Sequence, residues 1–183
     1  MSSSCRFPSQ FSSTLLSMKI KPIHASMLVW VLLCTTACAQ TYEARLASLY
    51  QHSVDTISTT RLAEWLEYQS VIILDTREPE EFAVSHIDQA KLIPYDSFDP
   101  QMLDGFDRSA PVVVYCTVGY RSERIGEQLQ DLGFSKVYNL YGGIFQWKND
   151  GYQVVNPAGE PTEKVHTYSK GWSKWLQQGE KVY

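Results

Sequence analysis

One short segment of the sequence combines a nucleophile, a turn-forming glycine and a fixed positive charge: it reads Cys116-Thr117-Val118-Gly119-Tyr120-Arg121-Ser122. A cysteine thiolate is a strong nucleophile, and Gly119 allows the chain to turn so that successive backbone N–H groups converge on an anion. Arg121 carries a forked guanidinium that matches an oxyanion. This combination predicts covalent catalysis at Cys116, on a substrate whose anionic group is bound by Arg121.

The other residues of this segment are predicted to line the bound substrate. We expect Thr117, Val118 and Tyr120 to surround it, and Ser122 to contribute there while also capping the following helix. The alternative is that Cys116 is an inert core residue, as many free cysteines are. The glycine and the arginine at these offsets argue against that alternative.

The segment requires a strand before it and a helix after it. Residues 112–115 are a continuous apolar run after Pro111, which is typical of a strand buried on both faces, and residues 122–132 have helical apolar spacing and end at Gly133. Ligands of open α/β sheets bind beyond the carboxyl ends of the strands, where a helix N-terminus stabilises an anion. This placement favours the reactive thiolate of Cys116.

The rest of the chain continues this alternation of strand and helix patterns. It indicates an α/β fold in which a central parallel β-sheet is flanked by helices. The expected strands are 71–74, 91–93, 112–115 and 136–140, with a short strand or extended segment at Ile57, and the expected helices are 60–68, 79–84, 122–132 and 141–147.

Four segments together resemble the rhodanese homology domain. Residues 74–82 (LDTREPEEF) resemble the family's LDxRxxxEF pattern, and residues 85–90 (SHIDQA) resemble its GHIxGA pattern, with serine and glutamine in place of the two glycines. Residues 116–122 (CTVGYRS) resemble its CxxGxRS active loop, and residues 140–147 (LYGGIFQW) its LxGGIxxW pattern. Because the four occur in the family's order, we predict one rhodanese domain over residues 54–156.

The resemblance implies a three-layer fold and a sulfurtransferase reaction. The Cys116 thiolate would take the outer sulfur of a small anionic donor such as thiosulfate, and the persulfide would pass it to a thiol or to cyanide. Asp75 and Arg77 would form a buried polar pair that supports the loop, with direct substrate contact as the alternative. His86 would have a structural role, and neither a metal nor an organic cofactor is implied.

Two other functions remain open at this point. A related cysteine phosphatase or arsenate reductase also places a cysteine and an arginine between a strand and a helix. Such phosphatases have a longer loop, however, whereas only the four residues 117–120 separate Cys116 from Arg121. A non-catalytic rhodanese-type binding module is the second alternative, and the intact Cys116, Gly119 and Arg121 argue against it.

Residues 1–39 have the pattern of an export signal. Basic residues within 18–21 precede the apolar run 27–34, small residues follow it, and Met18 is a candidate true start. Either Ala37-Cys38-Ala39 is a signal-peptidase site, or Cys38 is lipidated as in a bacterial lipoprotein. We therefore predict an exported protein, periplasmic or tethered to the membrane only through a lipid on Cys38. The alternative of a membrane anchor is disfavoured because a span needs about 20 apolar residues.

Two segments flank the predicted domain. Residues 40–53 are expected to be a polar leader, and residues 157–183 a linker followed by an amphipathic helical tail. Tyr168, Trp172, Trp175 and Leu176 share one face of that helix, which would pack back on the domain or dock a partner or a membrane surface. The net charge of −4 gives no indication of nucleic-acid binding.

Overall fold

Five parallel strands form the central sheet of the protein in a computed structural model that describes residues 41–183. The strands are β1 (Asp55–Ile57), β2 (Ile72–Asp75), β3 (Lys91–Leu92), β4 (Val112–Tyr115) and β5 (Val137–Leu140). Their order across the sheet is β1-β5-β4-β2-β3. Since β4 pairs with β2 on one side and with β5 on the other, the loop that follows β4 leaves the middle of the sheet.

Helices and short turns cover both faces of this sheet. The α-helices are α1 (Tyr42–Ala47), α2 (Thr59–Tyr68), α3 (Pro79–Val84), α4 (Tyr120–Asp131) and α5 (Gly143–Asn149), and the 3-10 helices are Pro100–Leu103 and Ser173–Trp175. Val113 and Tyr115 of β4 join one apolar cluster, with α1, α2 and α5, whereas Val112 and Val114 join a second, with α4. The predicted α/β fold with three layers is therefore confirmed.

Local signals in the sequence set the helix ends. The Ser58 side chain accepts the Arg61 N–H at 3.1 Å at the start of α2, and Glu78 and Glu81 form a reciprocal capping box around α3. α4 begins at Tyr120 rather than at the predicted Ser122, because Gly119 takes the N-cap position with φ +93°. Ser122 therefore lies inside the first turn of α4, and the prediction that it caps the helix is wrong.

The segment before β1 is not the polar leader that the sequence suggested for residues 40–53. From Thr41 onward it is folded: the Thr41 hydroxyl caps α1, and Tyr42, Leu46 and Tyr50 are buried in the main core. The prediction was wrong because the polar residues of this segment mask an apolar set at positions 42, 46 and 50, which is one face of a helix and its exit.

The tail is likewise not the linker and amphipathic helix that the sequence suggested for residues 157–183. Its strand β7 (Pro161–Thr162) pairs with β6 (Val154–Val155), which precedes the tail, and β8 (Lys164–His166) forms a parallel pair with β9 (Glu180–Val182). Only Ser173–Trp175 is helical, as one 3-10 turn. Tyr168 has φ +61°, which no α-helix contains, and Gly171 further disfavours a helix. Leu176 nevertheless packs into the main core.

Among residues 41–183, no helix combines the length and the apolar character that crossing a membrane requires. The predicted export signal, the start at Met18 and the lipid on Cys38 all lie outside the residues that the structure describes.

Candidate active site

Cys116 lies where the sequence predicted it, directly after β4 at the carboxyl edge of the sheet. Its residue surface is only 1% exposed, yet it forms part of the floor of a cavity of about 390 Å³. The loop 116–119 joins β4 to α4, so the thiol faces the N-terminal end of a twelve-residue helix. This arrangement places a nucleophile at the base of a pocket with helix N–H groups beside it.

The first half of the loop is fixed by the start of α5. The Cys116 carbonyl accepts the N–H of Ile144 at 2.9 Å, and the Thr117 carbonyl accepts the N–H of Phe145 at 3.2 Å. Gly143 allows this contact, since a Cβ at that position would stand 2.3 Å from the Cys116 carbonyl oxygen. The glycines of the LYGG segment thus bring α5 against the back of the Cys116 loop.

The second half of the loop is fixed by two buried polar side chains. The Tyr50 hydroxyl donates to the Val118 carbonyl at 2.8 Å, and Asn139 Nδ2 donates to the Gly119 carbonyl at 2.9 Å. Gly119 is required here, because a Cβ would stand 2.0 Å from the Tyr50 oxygen. Tyr50 also accepts the N–H of Gly142 at 2.8 Å, so one hydroxyl ties the loop to the start of α5.

These bonds decide where the N–H groups of the loop point. The carbonyls of residues 116–119 are all bound on the outer side, and in a trans peptide the next N–H points to the opposite side. The N–H groups of residues 117–120 therefore face the interior of the loop. The N–H of Gly119 donates to Cys116 Sγ at 3.1 Å. The interior of the loop consequently stabilises negative charge on a sulfur atom.

Arg121 does not present a free cationic fork to the cavity. Its Nη1 and Nη2 atoms lie 2.8 and 2.9 Å from the two carboxylate oxygens of Glu81, and Nη2 also donates to the Thr117 hydroxyl at 3.2 Å. That hydroxyl in turn donates to Glu81 at 3.0 Å. The sequence predicted that Arg121 binds the substrate's anionic group, but Glu81, which is 2% exposed, already occupies both arms of its fork.

The remaining predicted site residues divide into cavity-lining and buried positions. Thr117, Val118 and Tyr120 line the cavity with Cys116 and Arg121. Ser122 does not, because it is buried and its hydroxyl donates to Asn139 Oδ1 at 2.8 Å. The prediction that Ser122 contacts the substrate is therefore wrong.

Asp75 and Arg77 form a fully buried ion pair at the carboxyl end of β2. Arg77 Nη2 lies 2.7 Å from Asp75 Oδ2 and also donates to the Ser85 carbonyl at 2.6 Å. Burial opposes the charge on Arg77, but the adjacent Asp75 carboxylate outweighs burial and raises the pKa of Arg77 above its ordinary value. The pair holds the turn after α3 and has no exposure to the cavity, so it supports the site rather than contacting a substrate.

The two positions where family glycines are replaced differ in conformation. Ser85 has φ −170°, which is extended backbone open to any residue. Gln89 has φ +65°, a left-handed conformation that favours glycine. Neither residue lines the cavity over Cys116. His86, between them, stacks on Phe82 at 3.9 Å and bonds to its carbonyl, a structural position.

Several residues of the site were not predicted from the sequence. Glu81 belongs to the LDTREPEEF segment, seven residues after Leu74. Its place in a segment that resembles the family pattern is the signal that could have marked it as a site residue. Tyr50 carried no such signal, because its bond to Val118 spans 68 residues of chain. The other cavity-lining residues outside the loop are Leu49, Glu78, Tyr95, Asp96, Tyr168 and Trp172.

Comparison with known proteins agrees with this geometry. A model of the rhodanese-like domain matches residues 58–150. An uncharacterised protein of Synechocystis is 32% identical over 116 residues, which are 63% of this chain and 64%, slightly under two thirds, of that protein. A thiosulfate sulfurtransferase, GlpE, of Tolumonas auensis is 31% identical over 93 residues, 51% of this chain and 87% of that protein.

A solved structure shows the same fold. The rhodanese-like domain of an Anabaena protein superposes with a TM-score of 0.52 at 23% identity, covering 55% of this chain and 78% of that one. Residues 41–57 and 151–183 lie outside the matched family segment.

Proposed function

The chain belongs to the rhodanese-like domain family, and on that premise we propose that it is a sulfurtransferase that carries sulfane sulfur as a persulfide on Cys116. A relative named as a thiosulfate sulfurtransferase supports this reaction class. The observation that carries the proposal is the N–H of Gly119 donating to Cys116 Sγ at 3.1 Å, inside a loop whose carbonyls all point outward.

The first half-reaction loads the sulfur. The Cys116 thiolate attacks the outer sulfur of a donor, a new Sγ–S bond forms and the donor's S–S bond breaks, with its electron pair leaving on the departing group. With thiosulfate as donor the departing group is sulfite. Charge is conserved, because the thiolate becomes a persulfide anion while one dianion replaces another.

The second half-reaction removes the sulfur. A nucleophile, either cyanide or a thiolate, attacks the terminal sulfur of the persulfide, and the electron pair of the broken Sγ–S bond returns to Cys116. The products are thiocyanate or an organic persulfide. The inward N–H groups of residues 117–120 stabilise the anionic sulfur in both half-reactions without rearrangement of the loop.

Arg121 has a positioning role in this proposal. Its guanidinium is paired with Glu81, and its Nη2 donates to the Thr117 hydroxyl. Arg121 therefore fixes the first turn of α4 and Thr117 of the loop relative to α3. The backbone N–H groups, rather than the guanidinium, then take the charge of the donor. This replaces the expectation that Arg121 is the main contact of an anionic donor.

Steady-state kinetics with thiosulfate and cyanide test the proposal. The wild-type protein should form thiocyanate with the parallel-line pattern of a two-step covalent reaction, and Cys116→Ser should form none while keeping its far-ultraviolet circular dichroism. Hydrolysis of an aryl phosphate through Cys116 at a rate above sulfur transfer would overturn the proposal in favour of the cysteine phosphatase alternative.

We also propose that the protein is exported and is periplasmic or lipid-anchored at Cys38, from the signal-like pattern of residues 1–39. Mass analysis of the protein's N-terminus, after expression in a bacterial host, tests this. A lipidated Cys38 or a free Gln40 at the N-terminus supports export, and an uncleaved chain in the cytoplasm contradicts it.

A further inference from the structure

Three of the residues that line the cavity over Cys116 come from segments that the family match does not include. The match ends at residues 58 and 150, whereas Leu49 precedes it and Tyr168 and Trp172 follow it, and all three line the cavity. The sulfur-carrying loop is thus a family feature, but much of the surface that a reaction partner would touch belongs to the flanking segments of this chain.

Tyr168 is held in an unusual conformation at the cavity. Its φ of +61° is rare for a bulky residue, its surface is 58% exposed, and its ring centroid lies 5.2 Å from the Arg121 guanidinium carbon. The backbone is fixed on both sides, since Thr167 donates to the Val182 carbonyl at 2.8 Å and Ser169 donates to the Thr167 carbonyl at 2.6 Å. Backbone strain combined with an exposed aromatic ring is characteristic of ligand-binding positions.

Trp172 is braced in the same wall. The Arg45 guanidinium of α1 lies 5.0 Å from the Trp172 ring centroid, and neighbouring Trp175 stacks on Tyr42 with ring centroids 5.4 Å apart. α1 therefore supports the tail from behind. The aromatic wall is preformed, and a ligand would bind without ordering it first.

The charges around the cavity are mostly negative. Glu78 and Asp96 line it, Glu78 Oε1 lies 3.9 Å from Arg121 Nη1, and Glu81 pairs with Arg121 directly. Two carboxylates thus lie beside the one cavity-lining guanidinium, and Asp96 adds a third carboxylate to the lining. Arg124 does not compensate, because it stacks on the outer side chain of Tyr120 at 3.8 Å and lies near Glu123. For an acceptor that extends from the sulfur into this part of the cavity, the field favours a cationic group over an anionic one.

The cavity therefore has three zones with different chemistry. The N–H of Gly119 lies at the sulfur, the side chains of Leu49, Tyr168 and Trp172 form an apolar part of the lining, and Glu78 and Asp96 form an acidic part. A volume of about 390 Å³ is within the range of pockets for organic ligands. A ligand that matches all three zones has a thiolate, an apolar body and a cationic group.

We propose that the sulfur acceptor of this protein is an organic thiol with an apolar body and a cationic amino group, and that Tyr168 and Trp172 determine this specificity. This proposal rests on the persulfide chemistry proposed above. The acceptor thiolate forms a new S–S bond with the terminal sulfur, the Sγ–S bond breaks, and its electron pair stays on Cys116. The product is an organic persulfide, and no external oxidant or reductant is needed.

The test measures removal of sulfur from preloaded Cys116 by three aromatic thiols that differ in one group: 4-(aminomethyl)benzenethiol, 4-(hydroxymethyl)benzenethiol and 4-(carboxymethyl)benzenethiol. Their rate constants should fall in that order, by about tenfold from first to last, which is the scale of one charge interaction near a protein surface. Asp96→Asn should reduce the difference among the three rate constants. Glu80→Gln, which changes an exposed carboxylate outside the cavity-lining set, should leave it unchanged.

Substitution of the aromatic wall gives a second readout. Tyr168→Ala should slow all three thiols about tenfold, the scale of a lost apolar contact in a specificity pocket, whereas Tyr168→Phe should retain the rate. Tyr183→Ala, at a tyrosine that is 59% exposed outside the cavity, should have no effect. Cyanide is too small to contact the aromatic wall while it attacks the persulfide. The rate at which cyanide removes the sulfur should therefore not change in any of these variants.

A further variant keeps the test interpretable if Tyr168→Ala is poorly folded. Tyr168→Gly removes the ring and relieves the positive φ, so it should raise the melting temperature while it slows the thiols. Equal rates for the three thiols, or equal slowing of cyanide and thiols by Tyr168→Gly, would overturn this inference. Failure of the wild-type protein to form a persulfide, or to yield thiocyanate with cyanide, would instead overturn the proposed function.

Discussion

At the scale of single residues, the positive charge of Arg121, which an oxyanion would require, is already neutralised by the Glu81 carboxylate. Burial alone raises the pKa of Glu81, but hydrogen bonds from Arg121 and its positive charge outweigh burial, and the pKa lies below its ordinary value. The pair joins α3 to the Cys116 loop, with Thr117 bonded to both partners. The Glu81–Arg121 pair therefore stabilises the position of the loop relative to α3.

Replacing Glu81 by glutamine should destabilise the protein at pH 7 by about 2 kcal/mol, because Arg121 loses its charged partner but keeps an amide acceptor. A carboxylate whose pKa falls on folding stabilises the fold above its unfolded pKa of about 4.3 and loses that effect as the pH falls through its lower folded pKa. The difference between wild type and Glu81→Gln should therefore shrink below about pH 4. Urea unfolding at several pH values measures it.

The matched control is Glu80→Gln, an exposed carboxylate in the same turn of α3, which should change stability by less than about 0.5 kcal/mol. A Glu81→Gln effect that is as small as this, or one that grows toward acidic pH, would contradict the role assigned to the Glu81–Arg121 pair.

Tyr50 and Tyr42 offer a matched comparison of two buried hydroxyls. Tyr50 bonds to both the Val118 carbonyl and the Gly142 N–H, whereas Tyr42 bonds only to the Gly142 carbonyl at 2.9 Å. Tyr50→Phe leaves two buried backbone groups unpaired and should cost about 2–3 kcal/mol, against about 1 kcal/mol for Tyr42→Phe. Denaturant unfolding measures both, and a larger loss for Tyr42→Phe would contradict this account.

At the scale of secondary-structure elements, α5 links the catalytic loop to the tail. Its first residues bond to the Cys116 and Thr117 carbonyls, and near its end Asn149 donates to the Trp175 carbonyl at 2.9 Å and accepts the Gln177 N–H at 2.7 Å. Lys148 pairs with Glu163 at 2.9 Å. The helix that shapes the loop thus also holds the tail segment that carries the aromatic wall of the cavity.

Asn149→Ala should loosen the tail, because it removes three side-chain hydrogen bonds to this segment, with the Trp175 carbonyl and with the N–H groups of Gln177 and Gln178. We expect a loss of about 1–3 kcal/mol and faster amide hydrogen exchange within residues 173–182. Gln146→Ala is the control, since Gln146 on the same helix bonds only to Asp150, on the exposed surface. Unchanged exchange in the tail of Asn149→Ala would show that other contacts hold it.

At the scale of the whole molecule, the sheet and the sulfur loop were predictable from the sequence. Continuous apolar runs rich in β-branched residues, such as residues 112–115, are typical of strands buried on both faces of a parallel sheet. Cys116, Gly119 and Arg121 are close in sequence, so their spacing was enough to predict a turn between a strand and a helix at this position.

The surroundings of the loop were not predictable, because they depend on contacts between distant segments. Nothing local to Arg121 indicates that Glu81, 40 residues away, would occupy its guanidinium. The tail was misjudged because the spacing of Tyr168, Trp172, Trp175 and Leu176 fits a helix as well as it fits a 3-10 turn between two strands. The segment around Tyr50 looked polar because its buried face consists of only three residues, at positions 42, 46 and 50. A pattern this short is a weak indication of a helix.

The central claim is that Cys116 carries the transferred sulfur. Intact-mass analysis of the reduced protein, before and after incubation with thiosulfate and then with cyanide, tests it most directly, with Cys116→Ser treated in parallel. The account predicts that thiosulfate adds the mass of one sulfur atom to the wild-type protein only, and that cyanide removes it with release of thiocyanate. A protein that transfers sulfur without gaining that mass, or a Cys116→Ser variant that gains it, would contradict the account.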